Sequence, residues 1–182
     1  MAPFFALMTH LPFRDVGFDG HIFTIFDNSD MQHLLVFVCH GNICRSVAAE
    51  WIMRSVLKGR GLSDRFYICS RATSLEEIGN DIYPPMKRAL ASHGIPFGRH
   101  SAKQITKEDV DNASFVFYMD ENNRRNLVWH FGDLPRILPI SEYCPDIGEI
   151  EDPWYTGRFD LVVDQLIRCC EAIADYLADI RE

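Results

Sequence analysis

Leu34-Leu35-Val36-Phe37-Val38-Cys39-His40-Gly41-Asn42-Ile43-Cys44-Arg45-Ser46 is the stretch on which the reading of this chain turns. Its first five residues form a short, unbroken apolar run, the pattern of a strand buried on both faces of a parallel sheet. From Ser46 to Lys58, the residues Val47, Ala48, Trp51, Ile52 and Leu57 fall near helical spacing, and Gly59 and Gly61 end the segment. A strand therefore runs into a helix through one short loop. Gly41 lets that loop curl without a Cβ clash. Successive N–H groups in such a curl, together with the helix N-terminus, form a nest for an anion. Arg45 adds a planar fork matched to two oxygens of that anion. The same positive field favours the thiolate of Cys39, and the Ser46 hydroxyl is placed to hydrogen-bond it. The loop reads as an oxyanion cradle with a nucleophile at its base.

Beyond the loop, apolar runs alternate with longer helical patterns. Phe66–Cys69 and Phe115–Met119 read as strands, and Ile137–Ile140 as a weaker one. Helices are expected over Met86–His93, closed by Gly94, and over Glu121–His130. Thr106 and Asp109 have the spacing of a capping box opening a short helix. Residues 141–158 read as a loop, and Phe159–Ile180 as a long amphipathic helix. The alternation predicts an α/β fold: a single-domain, four-stranded parallel sheet with helices on both faces. The phosphate-binding loop follows the first strand, where such sheets bind ligands.

The chain has 182 residues, 47% hydrophobic and 24% charged, with 18 Lys+Arg against 26 Asp+Glu. A net charge of −8 argues against a general nucleic-acid binder. No apolar run is long enough for a membrane-spanning helix. Six cysteines in a chain of this length are too dilute for a disulfide scaffold and suit a reducing compartment. The N-terminus lacks a positive region and makes a poor secretory signal, so a cytoplasmic protein is expected. Residues 1–30 stand apart. They hold 6 of the 13 Phe and no Lys, Glu or Cys, while residues 31–182 carry the remaining −5 of charge. They are expected to be a dispensable extension ahead of one domain at 31–182.

Taken alone, the loop also fits a buried strand-end cysteine beside a solvated arginine. A zinc site on Cys39, His40 and Cys44 lacks a second ligand pair, and a nucleotide loop lacks its Gly-Lys-Ser/Thr ending. Asp152-Pro153, likewise, can be a plain turn. The order of the motifs decides between these readings. Val38-Cys39-His40-Gly41-Asn42-Ile43-Cys44-Arg45-Ser46 resembles the signature of the low-molecular-weight protein-tyrosine phosphatases. Ser70–Ser74, Glu77–Asn80, His93–Pro96, His100, Gln104–Asp109, Met119–Asn123 and Glu151–Tyr155 resemble further segments of that family, in order.

The resemblance implies hydrolysis of phosphotyrosine and small aryl phosphates through a cysteinyl-phosphate, with no metal or cofactor. Cys39, Arg45 and Asp152 would be catalytic, Asp152 as general acid and then base. His40, Gly41, Asn42, Ile43, Cys44 and Ser46 would complete the phosphate loop. Ser70 and His100 would support it through Asn42, and Glu76, Trp154 and Tyr155 would line the substrate slot. Cys44 either captures an oxidised Cys39 as a disulfide or is a small buried residue. Asp120 is expected to cap the following helix or orient its loop. Expected partners are phosphotyrosine proteins, with inorganic phosphate as product and inhibitor; neither nucleic acid nor membrane is expected, and the chain is expected to be a monomer.

The chain also departs from the family pattern. Val47 replaces a usual Pro, Arg71 a small residue, and Glu76 an aromatic, while one extra residue separates Pro96 from His100. Two other readings remain. A thiol-dependent arsenate reductase needs relay cysteines, and none lies between residues 70 and 143. A non-catalytic oxyanion- or phosphopeptide-binding module is kept open by Glu76 and His40.

Overall fold

The structure is a computed structural model that describes residues 32–179. Strand β1 (His33–Cys39) carries the apolar run and feeds helix α1 (Arg45–Gly59). Strand β2 (Phe66–Ala72) and helix α2 (Pro84–Ser92) follow. Next come α3 (Lys107–Asn112), β3 (Ala113–Tyr118), α4 (Glu121–Phe131) and β4 (Ile137–Pro139). A short α5 (Pro153–Thr156) and the long α6 (Phe159–Asp179) end the described chain.

The sheet order is β2-β1-β3-β4, and every pairing is parallel. Strand residues alternate between faces, so each face of β1 must be covered. Leu35 and Phe37 pack with Val47, Ile52 and Met53 of α1, Leu90 of α2, and Val163 and Leu166 of α6. Val36 and Val38 pack on the opposite face with Val110 of α3 and Leu127 of α4. These β1 side chains are fully buried, which holds the carboxyl end of the strand, and Cys39 with it, in a rigid frame. Because β1 lies between β2 and β3, its carboxyl end opens where the chain leaves to either side, the usual ligand crevice of such sheets. Among the described residues, no helix is long and apolar enough to cross a membrane.

Most element ends shift by one or two residues from expectation, and two larger differences bear on the site. β2 runs on through Ser70 and Arg71 to Ala72, because these polar residues find partly buried partners: Ser70 bonds Glu50, and Arg71 forks onto Asp109. Residues 153–156, expected to be loop, form a helical turn with Asp152 as its N-cap, Pro153 in its first turn, and Gly157 in the left-handed region at its end. Thr106 and Asp109 form the anticipated capping box. The extension at residues 1–30 lies outside the described residues.

Candidate active site

The loop after β1 bends back on itself at Asn42, which has φ 59° although it is not glycine. A left-handed backbone at a non-glycine residue persists only where its surroundings enforce it, and here the side chain supplies the enforcement. The backbone N–H of Lys103 donates to Asn42 Oδ1 at 3.1 Å, which fixes the orientation of the amide. Nδ2 then donates to Ser46 Oγ at 2.9 Å and to Ser70 Oγ at 2.8 Å. His100 Nε2 donates to the Asn42 carbonyl at 2.7 Å, so the extra residue before His100 does not displace it. Burial pushes the His100 pKa down, against smaller opposing pulls from the Asn42 carbonyl and the Glu50 carboxylate.

The direction of each hydrogen in this network follows from its ends. Ser70 accepts from Asn42 and donates to Glu50 Oε2 at 2.6 Å, while Arg54 donates to the other Glu50 oxygen at 2.9 Å and 3.2 Å. Ser46 Oγ accepts from Asn42 and lies 3.0 Å from Cys39 Sγ. When Cys39 is a thiolate, the Ser46 hydrogen points at sulfur. A second donor, the backbone N–H of Asn42, reaches the same sulfur at 3.3 Å. No side chain caps the N-terminus of α1, so its first N–H groups face the loop.

Gly41 leaves room for the segment that packs over the loop. Its φ is not positive, but a Cβ there would come within 3.0 Å of Glu77 Cγ. The segment after β2 packs directly on the loop: Thr73 N–H donates to the Cys39 carbonyl at 2.9 Å, and Ser74 N–H to the His40 carbonyl at 3.0 Å.

Arg45 is the largest buried charge of the site, only 2% exposed. Its Nη1 donates to Asp120 Oδ2 at 2.5 Å and to the Ile150 carbonyl at 3.0 Å; its Nη2 donates to Asp152 Oδ2 at 2.7 Å. Burial opposes the guanidinium charge, but Cys39, Asp152 and Asp120 outweigh it and hold the Arg45 pKa above its ordinary range. Asp120 serves two ends, since its other oxygen caps α4 through the Asn123 N–H at 2.8 Å. Asp152 does the same for α5, accepting from Trp154 N–H at 3.1 Å.

Cys39, His40, Gly41, Ile43, Cys44, Arg45, Glu76, Glu77, Asp152, Trp154 and Tyr155 line one cleft of about 170 Å³. Asn42, Ser46, Ser70 and His100 are not among the lining residues and are joined to one another by the hydrogen bonds above. At the rim, Trp154 and Tyr155 are 51% and 85% exposed. Tyr83, absent from the sequence reading, backs Trp154 with ring centroids 4.7 Å apart and donates its N–H to the Ile43 carbonyl. Glu50 was also absent, although its place on α1 one turn beyond Ser46 put it on the same helix face. The Cys44 thiol is pushed up by burial first, then by Cys39 and Asp152, and stays protonated at neutral pH. The arrangement can hold a tetrahedral dianion over a sulfur nucleophile, with the Asp152 carboxyl group in the same cleft.

Comparison with known proteins agrees with this geometry. The family model for low molecular weight phosphotyrosine protein phosphatase matches residues 34–182. The human low molecular weight phosphotyrosine protein phosphatase is 38% identical over 151 residues, spanning 78% of this chain and 93% of that protein. PtpA of Staphylococcus aureus is 32% identical over 147 residues, spanning 79% and 92%. Among solved structures, YfkJ of Bacillus subtilis superposes with a TM-score of 0.80 at 28% identity, covering 85% of this chain and all of that one. The protein tyrosine phosphatase of Entamoeba histolytica gives 0.75 at 28%, covering 81% and 98%. From β1 to its last helix, the chain belongs to the low molecular weight phosphotyrosine protein phosphatase family.

Proposed function

We propose that this chain is a protein-tyrosine phosphatase that hydrolyses phosphotyrosine and small aryl phosphates through a cysteinyl-phosphate at Cys39. The observation that carries the assignment is the convergence of the Asn42 N–H and the Ser46 hydroxyl on Cys39 Sγ in a cleft that Arg45 and Asp152 also line.

In the first step the Cys39 thiolate attacks phosphorus in line, forming S–P and breaking the P–O bond to the aryl group. The loop N–H groups and Arg45 take the equatorial oxygens, where preorganised donors act with most effect. Asp152 gives its proton to the departing phenolate. The phosphate oxygens take over Arg45 Nη2, which the Asp152 carboxylate engages at 2.7 Å, and the freed carboxylate takes from solvent the proton that it then donates. Asp120 keeps its own bond to Nη1 and holds the fork in plane. In the second step Asp152 takes a proton from water, water attacks phosphorus, and the Cys39 thiolate leaves, stabilised by Ser46. Inorganic phosphate is the product and occupies the same cradle. Trp154, backed by Tyr83, flanks the aryl ring, which suits a flat leaving group.

Rapid acid quench during turnover, followed by mass spectrometry, tests the intermediate. One phosphate on the peptide containing Cys39 is expected. Phosphate on any other residue, or none under conditions where aryl phosphate is consumed, would count against it.

A further inference from the structure

The mouth of the cleft carries a charge pattern that the hydrolysis itself does not use. Glu76 Oε2 lies 2.8 Å from His40 Nε2, so its carboxylate is anchored to the residue next to the nucleophile. Both groups remain open to solvent, His40 48% and Glu76 73% exposed. The carboxylate of Glu77 is held by Asn80 Nδ2 at 2.7 Å, and its side chain packs over Gly41. This segment is laced to the cradle through the Thr73 and Ser74 N–H bonds, so these carboxylates stand at fixed places on the rim. Among the described residues, Arg45 is the one Lys or Arg that lines the cleft, and it is buried and committed to Asp120 and Asp152. Nearby Arg158 is paired with Glu151. A phosphate entering the cradle therefore passes a rim that carries two carboxylates, Glu76 and Glu77, with the His40 imidazole beside Glu76.

We infer that Glu76, anchored by His40, selects phosphotyrosines flanked by lysine or arginine. This rests on the phosphotyrosine reading of the site and deepens it. A basic side chain beside the phosphotyrosine meets Glu76 and Glu77, while an acidic one meets like charge. Each exposed pair of this kind is worth about threefold in affinity, so two flanking charges amount to roughly tenfold. The cradle binds the phosphate itself through N–H groups and Arg45, so the rim discriminates by what surrounds the phosphate. Glu76 acts on the ratio between substrates rather than on the chemical step.

The test compares two phosphotyrosine peptides that differ only in flanking Lys or Glu, with a small aryl phosphate alongside. For the intact chain at low ionic strength, kcat/KM for the basic peptide is expected to exceed that for the acidic one by roughly tenfold. Added salt should shrink the ratio. Glu76→Gln should reduce it several-fold, and Glu76→Lys should bring it to unity or invert it. Because each ratio is read on one enzyme, any change in overall activity cancels. Equal ratios in all three proteins, or a preference of the intact chain for the acidic peptide, would overturn the inference. Loss of turnover on the small aryl phosphate as well would instead indict the phosphatase reading.

Discussion

Replacing Asp152 with Asn is expected to slow turnover and tighten phosphate binding at once. Arg45 Nη2 donates to Asp152 Oδ2 at 2.7 Å, and a phosphate in the cradle must compete with that carboxylate for the same donor. A hydrogen bond to a charged group is worth about 1.5–3 kcal/mol net. The Asp152 side chain is 25% exposed, so the lower end applies. Asparagine keeps the shape and the cap on Trp154 N–H but carries no charge, so about 1.5 kcal/mol returns to the anion, or roughly tenfold in Kd. Loss of the acid lowers kcat on aryl phosphates by about 10²–10⁴-fold. Isothermal titration with inorganic phosphate reads the first effect, and steady-state hydrolysis the second. Phosphate affinity equal to or weaker than that of the unaltered chain would refute the proposed competition for Arg45, whatever happened to the rate.

Asn42→Ala removes three side-chain hydrogen bonds from a left-handed residue and is expected to destabilise the chain by about 2–4 kcal/mol in urea unfolding. Asn42→Gly should cost about 0.5–1 kcal/mol less than Ala, because the left-handed penalty of alanine exceeds glycine's extra unfolded-state entropy; the reverse order would contradict the strain argument. Burial depresses the His100 pKa, so the unfolded chain takes up a proton first as pH falls below the ordinary imidazole value of about 6.5. The contribution of His100 to stability is therefore complete above that value and is lost as pH falls, and the stability gap between the intact chain and His100→Gln should narrow on acidification. A gap that widened would mean the imidazole is stabilised in its charged form. For the chain's own extension, a protein starting at Met31 is expected to fold cooperatively and keep full aryl-phosphate turnover, and failure of either would give residues 1–30 a part in the domain.

The fold was legible wherever burial left a periodic trace. β1 announces itself as an unbroken apolar run because helices cover both its faces, and α6 shows its full amphipathic stripe. β2 was read short, since Ser70 and Arg71 look like loop residues until Glu50, Asn42 and Asp109 are seen to satisfy them. A single turn such as α5 has too few residues to show a period, and its capping aspartate was read for chemistry rather than for the helix it starts. In the site, the loop residues and Asp152 could be named because their order along the chain is itself informative. The tie between Arg45 and Asp120 spans 75 positions and leaves no local mark, and the packing of Glu77 on Gly41 depends on the path of a loop. Glu50 was the avoidable omission: a carboxylate one turn along from Ser46, on the same helix, was a readable candidate for the network behind the nucleophile.

The most direct test of the account is hydrolysis of a small aryl phosphate, in chelator and without added metal, by the intact chain, Cys39→Ser and Asp152→Ala. The account predicts metal-independent turnover that Cys39→Ser abolishes and Asp152→Ala slows by about 10²–10⁴-fold, with phosphate still bound by the aspartate variant. Full activity in Cys39→Ser would contradict it.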